Sequence, residues 1–110
     1  LENEHSLRAL NHWSLAKCLR KLERPAEAAV ERKACLEQEL AESGTIDSDI
    51  LFTVIWLAAD LAAAKAFEQA LEEVDAALAA AEQIESPDEE LENEMNKLRG
   101  YRENLLKGLK

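Results

Sequence analysis

The stretch LAADLAAAKAFEQALEEVDAAL, Leu57 to Leu78, decides the fold, because the chain holds a version of it twice. The earlier copy, LAKCLRKLERPAEAAVERKACL, runs from Leu15 to Leu36. Leu57, Ala58, Leu61, Ala70, Ala76, Ala77 and Leu78 stand 42 residues beyond Leu15, Ala16, Leu19, Ala28, Ala34, Cys35 and Leu36, and Glu73 stands 42 beyond Glu31. A fixed internal period of this size marks a helical repeat array. Leu and Ala at three- and four-residue steps give each copy amphipathic helices. Their small residues let paired helices approach, while the large ones fill the gaps.

Outward from this repeat, the helical pattern begins near Ser6, and Leu7, Leu10, Trp13, Leu15, Cys18, Leu19 and Leu22 carry it. It should stop near Glu23, because Pro25 disfavours helical geometry at Arg24. Pro25 then opens a second helix, where its missing N–H costs nothing. That helix is expected to reach Glu42, with Ala28, Ala29, Cys35, Leu36 and Leu40 facing inward. Gly44 suits a left-handed cap, and residues 43–48, SGTIDS, read as a loop. A third helix starts within Asp47–Asp49, whose short polar side chains can cap free N–H groups. It is apolar nearly all round, so it should be the most buried element.

A turn is expected at Ala64–Ala66, although the residues there are Ala-Ala-Lys-Ala up to Phe67, with no Gly or Pro. Propensity alone would continue the helix. The turn follows from the register, since Phe67 aligns with Pro25 and an unbroken helix could not fold back on its own core. The fourth helix should run to about Glu85. Ser86 then caps, Pro87 sits in the first turn, and Glu89 reaches back as capping-box partner. The last helix, to about Lys107, places its acids first and its bases last, which suits the helix dipole. Leu91, Met95, Leu98, Tyr101, Leu105 and Leu109 form its apolar stripe.

At 110 residues the chain is long enough for one domain and too short for two. Its 47% hydrophobic content is too high for a disordered segment. A net charge of −10 argues against nucleic acid and anionic membrane surfaces as partners. No apolar run approaches the roughly 18 residues a membrane span needs. Cys18 and Cys35 are too few for a disulfide framework and read as small buried residues in a reducing, cytoplasmic compartment. There is no signal peptide and no initiator Met, so the chain is expected to be part of a larger protein.

Within each copy the order Leu-Ala-x-x-Leu, then an Ala, then a small residue followed by Leu, resembles the tetratricopeptide repeat. The residues are Leu15, Ala16, Leu19, Ala28, Cys35 and Leu36, then Leu57, Ala58, Leu61, Ala70, Ala77 and Leu78. Arg24-Pro-Ala-Glu-Ala-Ala29 is similar to that family's mid-repeat turn. The usual period is 34 residues. The 42-residue spacing resembles the longer-looped subclass found in kinesin light chains and many bacterial regulators. The resemblance implies an all-α fold of about five helices, with antiparallel hairpins stacked as a short right-handed solenoid. Repeat 1 would cover about 9–42, repeat 2 about 51–84, and a capping or partial third-repeat helix about 87–108. Gly100 lies 42 beyond Ala58, but Arg99 and Glu103 stand where Leu is expected, which favours an end cap.

The resemblance also implies a non-catalytic scaffold that binds a peptide or protein on a concave surface lined by the first helix of each pair. By position that surface takes Leu10, Trp13, Lys17, Arg20 and Lys21 from the first copy, and Phe52, Ile55, Ala59, Ala62 and Ala63 from the second. Bases there would hold the carboxylates of an acidic or C-terminal peptide, and Trp13 and Phe52 would anchor apolar side chains. The competing reading is that the bases pair with nearby acids and the rings pack between repeats. The chaperone-binding members hold a terminal carboxylate with Lys and Asn. Trp13, Lys17 and Ala59 stand at the matching positions, which disfavours that partner. Alternative functions are a structural oligomerisation module, homodimeric through Leu7, Leu10 and Trp13, and a regulatory peptide-sensing domain.

No cofactor or metal is called for. His5 and His12 invite a metal reading, and Glu2 with His5 has the spacing of a helical ligand pair, but no second pair or facing carboxylates accompany them. No serine lies in a nucleophile-elbow context, and no Gly-rich loop could cradle phosphate. The acids read as solvated helix faces.

Overall fold

The structure, a computed structural model, describes residues 13–108, and every regular element among them is an α-helix. Helix α1 covers 13–21, α2 Pro25–Ser43, α3 Ser48–Ala63, α4 Phe67–Glu82 and α5 Glu89–Gly108. The expected start near Ser6, together with Leu7, Leu10 and Leu109, lies outside the described residues.

The turn at Ala64–Ala66 exists, and its backbone repeats the one before Pro25. Lys65 adopts φ 64° and Glu23 φ 59°, both left-handed and 42 residues apart. The Ala66 N–H donates to Leu61 C=O at 2.8 Å and Lys65 N–H to Ala62 C=O at 2.9 Å. In the first copy Arg24 N–H donates to Leu19 C=O at 2.9 Å and Glu23 N–H to Arg20 C=O at 3.0 Å. This pair of reverse bonds satisfies the orphan carbonyls of a helix end. Glycine is absent from both turns, so each side chain bears a left-handed penalty that packing of the flanking helices outweighs. Lys65→Gly is expected to raise stability by about 0.5–1 kcal/mol, because a lost penalty of about 1–2 is partly offset by glycine's larger unfolded entropy. Urea midpoints check this, and Glu23→Gly should behave alike.

Helix α2 ends at Ser43, one residue beyond the expected Glu42, and Gly44 caps it as its sequence demands, with φ 73° and its N–H on Leu40 C=O. Asp47 caps α3, its Oδ1 accepting from Ile50 N–H at 2.9 Å. Two boundaries differ from expectation. Helix α4 stops at Glu82 and not Glu85, with Ile84 packed against the core. The cap of α5 is Asp88, whose Oδ1 accepts from Leu91 N–H at 2.8 Å; Ser86 and Pro87 lie ahead of the helix. A carboxylate at this end gains from the helix dipole as well as from the hydrogen bond, which a serine hydroxyl does not.

Helix α3 packs against α2, α4 and α5, and α4 also packs against α5. Its Ile50, Leu51, Val54, Leu57 and Ala58 sit at the middle of a core completed by Leu36, Val74, Leu78, Leu91 and Leu98. A smaller cluster of Ala16, Leu19 and Ala28 joins α1 to α2. Helix α3 is the most buried of α2 to α5, as its composition predicts, yet Phe52 and Trp56 are exposed on it. Four further expectations need correction. Leu15, Leu22 and Leu40 are exposed, and so is Cys18, while Cys35 is buried. Leu15 is 48% exposed where its counterpart Leu57 is 1%. The sequence pattern is equal at both; α2 covers α3, and no described helix covers α1 in the same way.

A polar bolt joins α2 to α3 inside this frame. Thr53 Oγ1 donates to Glu39 Oε1 at 2.5 Å, and Cys35 Sγ donates to the same oxygen at 3.3 Å. Burial, then the Glu39 hydrogen bond and charge, push the Cys35 thiol up to about 12, so it is no activated nucleophile. Burial also raises the Glu39 carboxyl above its ordinary 4.5, against the opposing hydrogen bonds from Thr53 and Cys35. The folded protein therefore keeps this proton to a higher pH than the unfolded chain. Stability falls as pH rises from the ordinary carboxylate range through the raised value, and the deficit persists at neutral pH. Glu39→Gln keeps an oxygen for Thr53 and should remove that fall, giving a higher melting temperature than wild type at neutral pH. Melts across the acidic to neutral range check it; an unchanged slope would assign the fall elsewhere.

Candidate functional site

Asp60 is the residue from which the site is built. It lies one turn after Leu57 on the inner face of α3 and is 0% exposed. A carboxylate so placed is tolerated only if paired and hydrogen-bonded. Arg20 Nη1 of α1 donates to its Oδ1 at 2.5 Å, and Arg32 Nε of α2 donates to its Oδ2 at 3.1 Å. One carboxylate thus ties three helices together. Two cations against one anion leave a local excess of positive charge.

Arg32 then organises the surface above it. Its side chain is 3% exposed. Its Cζ lies 3.9 Å from the centroid of the Trp13 ring and 5.2 Å from that of Trp56. Its Nη1 is buried without a hydrogen-bond partner. The two indoles lie beside the guanidinium, and their π electrons attract the cation. Phe52 completes the cluster, stacked on Trp13 at 5.6 Å and edge-on to Trp56 at 6.4 Å; the two indoles meet edge-to-face at 6.2 Å. Offset and edge-on arrangements are those that ring quadrupoles favour. Tyr101 of α5 belongs to the same neighbourhood: burial raises its phenol, while Arg20 lowers it and Asp60 raises it.

The cluster is wet on its outer side. Phe52 is 44% exposed and Trp56 39%. Lys17 and Lys21 are exposed on α1, and no ion pair joins either to another described residue. A hollow of about 390 Å³ opens beside Phe52, lined by Ser48, Asp49, Glu90, Asn93, Glu94 and Lys97. The surface therefore bears exposed bases on α1, aromatic rings between α1 and α3, and acids towards α5.

The structure brings Trp13 and Phe52 together, as their positions suggested. Arg20 is drawn inward onto Asp60, while Lys17 and Lys21 stay in solvent. Ile55 is half-buried against the core, Ala59 and Ala62 are half-buried, and Ala63 is exposed. Leu10, His5 and His12 lie outside the described residues. Among the described residues no cluster of three or more His, Cys, Asp or Glu could hold a metal ion. Sequence reasoning missed Trp56, Arg32, Asp60 and Tyr101. Trp56 follows Phe52 by one helical turn, a signal available from spacing. Asp60 falls between Leu57 and Leu61, both at repeat packing positions, and a charge there asks for a buried partner.

No family profile, no curated protein sequence and no solved structure matches this chain. No helix among the described residues is long and apolar enough to cross a membrane.

Proposed function

We propose that this chain is a non-catalytic helical-repeat module of tetratricopeptide type, and that it holds a peptide or protein segment on the surface shared by α1 and α3. The observation that carries this reading is the aromatic cluster in which Phe52 and Trp56 are exposed beside a half-buried Trp13, fixed from beneath by a buried Arg32. Large aromatic rings left in water cost free energy that a partner's apolar side chain recovers, and such rigid anchors dominate binding energies where they occur. The packing of α3 against both α2 and α5 supports a stacked-hairpin arrangement in which α1, α3 and α5 share one side. The bases on α1 favour a segment with acidic residues next to an apolar one.

Selection of a random peptide library on the immobilised chain tests this. The enriched peptides should combine an apolar residue with acids, and enrichment should vanish on Trp56→Ala. A library that yields no enriched sequence overturns the proposal. The chain has only two tryptophans, both in the cluster, so its fluorescence reports this site alone.

A further inference from the structure

Helices α2 and α4 both pack against α3 but not closely on each other, so a groove runs between them along α3. Its floor is Ile50, Val54, Leu57 and Leu61, one face of α3 by their three- and four-residue steps. By helical phase that face is opposite Phe52 and Trp56, so the groove is separate from the aromatic cluster. The floor rises about 16 Å from end to end, or about three helical turns. Two hollows make up the groove, one of about 700 Å³ towards the start of α2 and one of about 490 Å³ towards its end. Lys33 and Glu73 line both, and their ion pair, at 2.7 Å, is a crossbar between α2 and α4. Small wall residues, Ala26 and Ala34 on α2 and Ala76 and Ala80 on α4, leave room for a further helix at close range. Val30 and Leu40 line the α2 side and are 67% and 38% exposed. The rim is acidic. Glu37 of α2 and Glu72 of α4 flank the larger hollow from opposite walls, both exposed, and no ion pair joins either to another described residue. Among the described residues lining the groove Lys33 is the one base, and Glu73 already neutralises it.

We propose that this groove holds an amphipathic helix of a partner protein, about three turns long, apolar on the seated stripe and basic along both flanks. The apolar floor and walls take the stripe. The flanks of a helix seated there face Glu37 on one side and Glu72 on the other, and Lys or Arg at those places completes the two unpaired carboxylates. The residue over the Lys33–Glu73 crossbar is small, because the bar stands between the hollows. A second copy of the chain fits poorly: its net charge of −10 would bring acid against acid.

The test is a selection on the full chain carrying Trp56→Ala, which takes the aromatic surface out of the contest. The library displays helices of about four turns, with Leu fixed along one stripe and every other position drawn from Ala, Glu and Lys. The enriched peptides should carry Lys on both sides of the stripe. For the tightest of them, followed by fluorescence anisotropy, Glu37→Lys with Glu72→Lys should raise Kd at least about tenfold. Glu85→Lys with Glu103→Lys makes the same change in net charge at exposed sites away from the groove, and should change Kd less than about twofold. Val30→Asp makes the chain more acidic at an exposed position, so attraction by charge alone would tighten binding. Seating in the groove predicts instead a loss of about fivefold or more. No enriched sequence, enrichment of Glu, equal losses from the two Glu→Lys pairs, or tighter binding by Val30→Asp each overturns the proposal. So does sedimentation of the chain as a dimer that Val30→Asp dissociates, which would make a second copy the occupant.

Discussion

Asp60→Ala is expected to destabilise the fold by about 3–5 kcal/mol, the usual cost of removing one partner from a buried ion pair. The carboxylate is fully buried and receives Arg20 and Arg32 at 2.5 and 3.1 Å. Without it, Arg32 keeps its charge in a site with 3% exposure and two indoles as its remaining neighbours. Arginine cannot lose its proton to escape. The alternative is that the side chain swings out, which would take the support from under Trp13. Either outcome blue- or red-shifts the tryptophan emission together with the loss of stability. Arg20→Gln should cost much less, since Arg20 is 35% exposed and a neutral Asp60–Arg32 pair survives its loss. The double change Asp60→Leu with Arg32→Met removes both charges at once and should recover most of the stability. Urea denaturation of the four proteins decides the matter. A mild Asp60→Ala phenotype would mean that water reaches the triad.

The repeat made much of the fold legible. The spacing of Leu57, Ala58, Leu61, Ala70 and Ala77 reports which faces pack, so hairpins follow from it, including the turn at Ala64–Ala66 that carries no turn residue. Packing imposes that turn, and Lys65 accepts a left-handed backbone to make it. Local chemistry was legible at Pro25, Gly44 and Asp47. It misled at Ser86, because the expected cap stands two residues ahead of Asp88, whose carboxylate caps the helix. The site was half legible. Trp13 and Phe52 meet on the side that the tetratricopeptide resemblance implied for the first helix of each pair. Asp60 depends on Arg20 and Arg32, 40 and 28 residues away, and no local pattern announces a pair at that separation. Exposure at Leu15 and Leu22 was not legible because identical residues are buried or wet according to what lies over them. Periodicity fixes the inward direction of a helix and is silent about its neighbours.

The same distinction between support and contact governs the binding surface. Trp56→Ala is expected to weaken capture of a selected acidic peptide by at least about 2 kcal/mol, roughly thirtyfold in Kd, because truncating a central aromatic anchor removes both its area and its exclusion of water. Trp56 is 39% exposed and its ring lies farther from Arg32 than that of Trp13, at 5.2 Å, so its loss should leave the fold intact and lower the urea midpoint only slightly. Trp13→Ala removes a ring that lies against Arg32 at 3.9 Å and stacks on Phe52 at 5.6 Å. It should therefore weaken binding as strongly as Trp56→Ala and lower stability as well, by about 1 kcal/mol for the lost cation–π contact. Lys17→Glu with Lys21→Glu should act differently. These side chains are exposed, so they steer the approach of an acidic segment more than they hold it, and their loss should lower the association rate and flatten the salt dependence. Stopped-flow fluorescence separates the cases, since the aromatic variants should raise the dissociation rate and the lysine variants lower the association rate. If Trp56→Ala leaves Kd unchanged while the lysine pair abolishes binding, the aromatic cluster is a packing feature and the partner is held by charge alone.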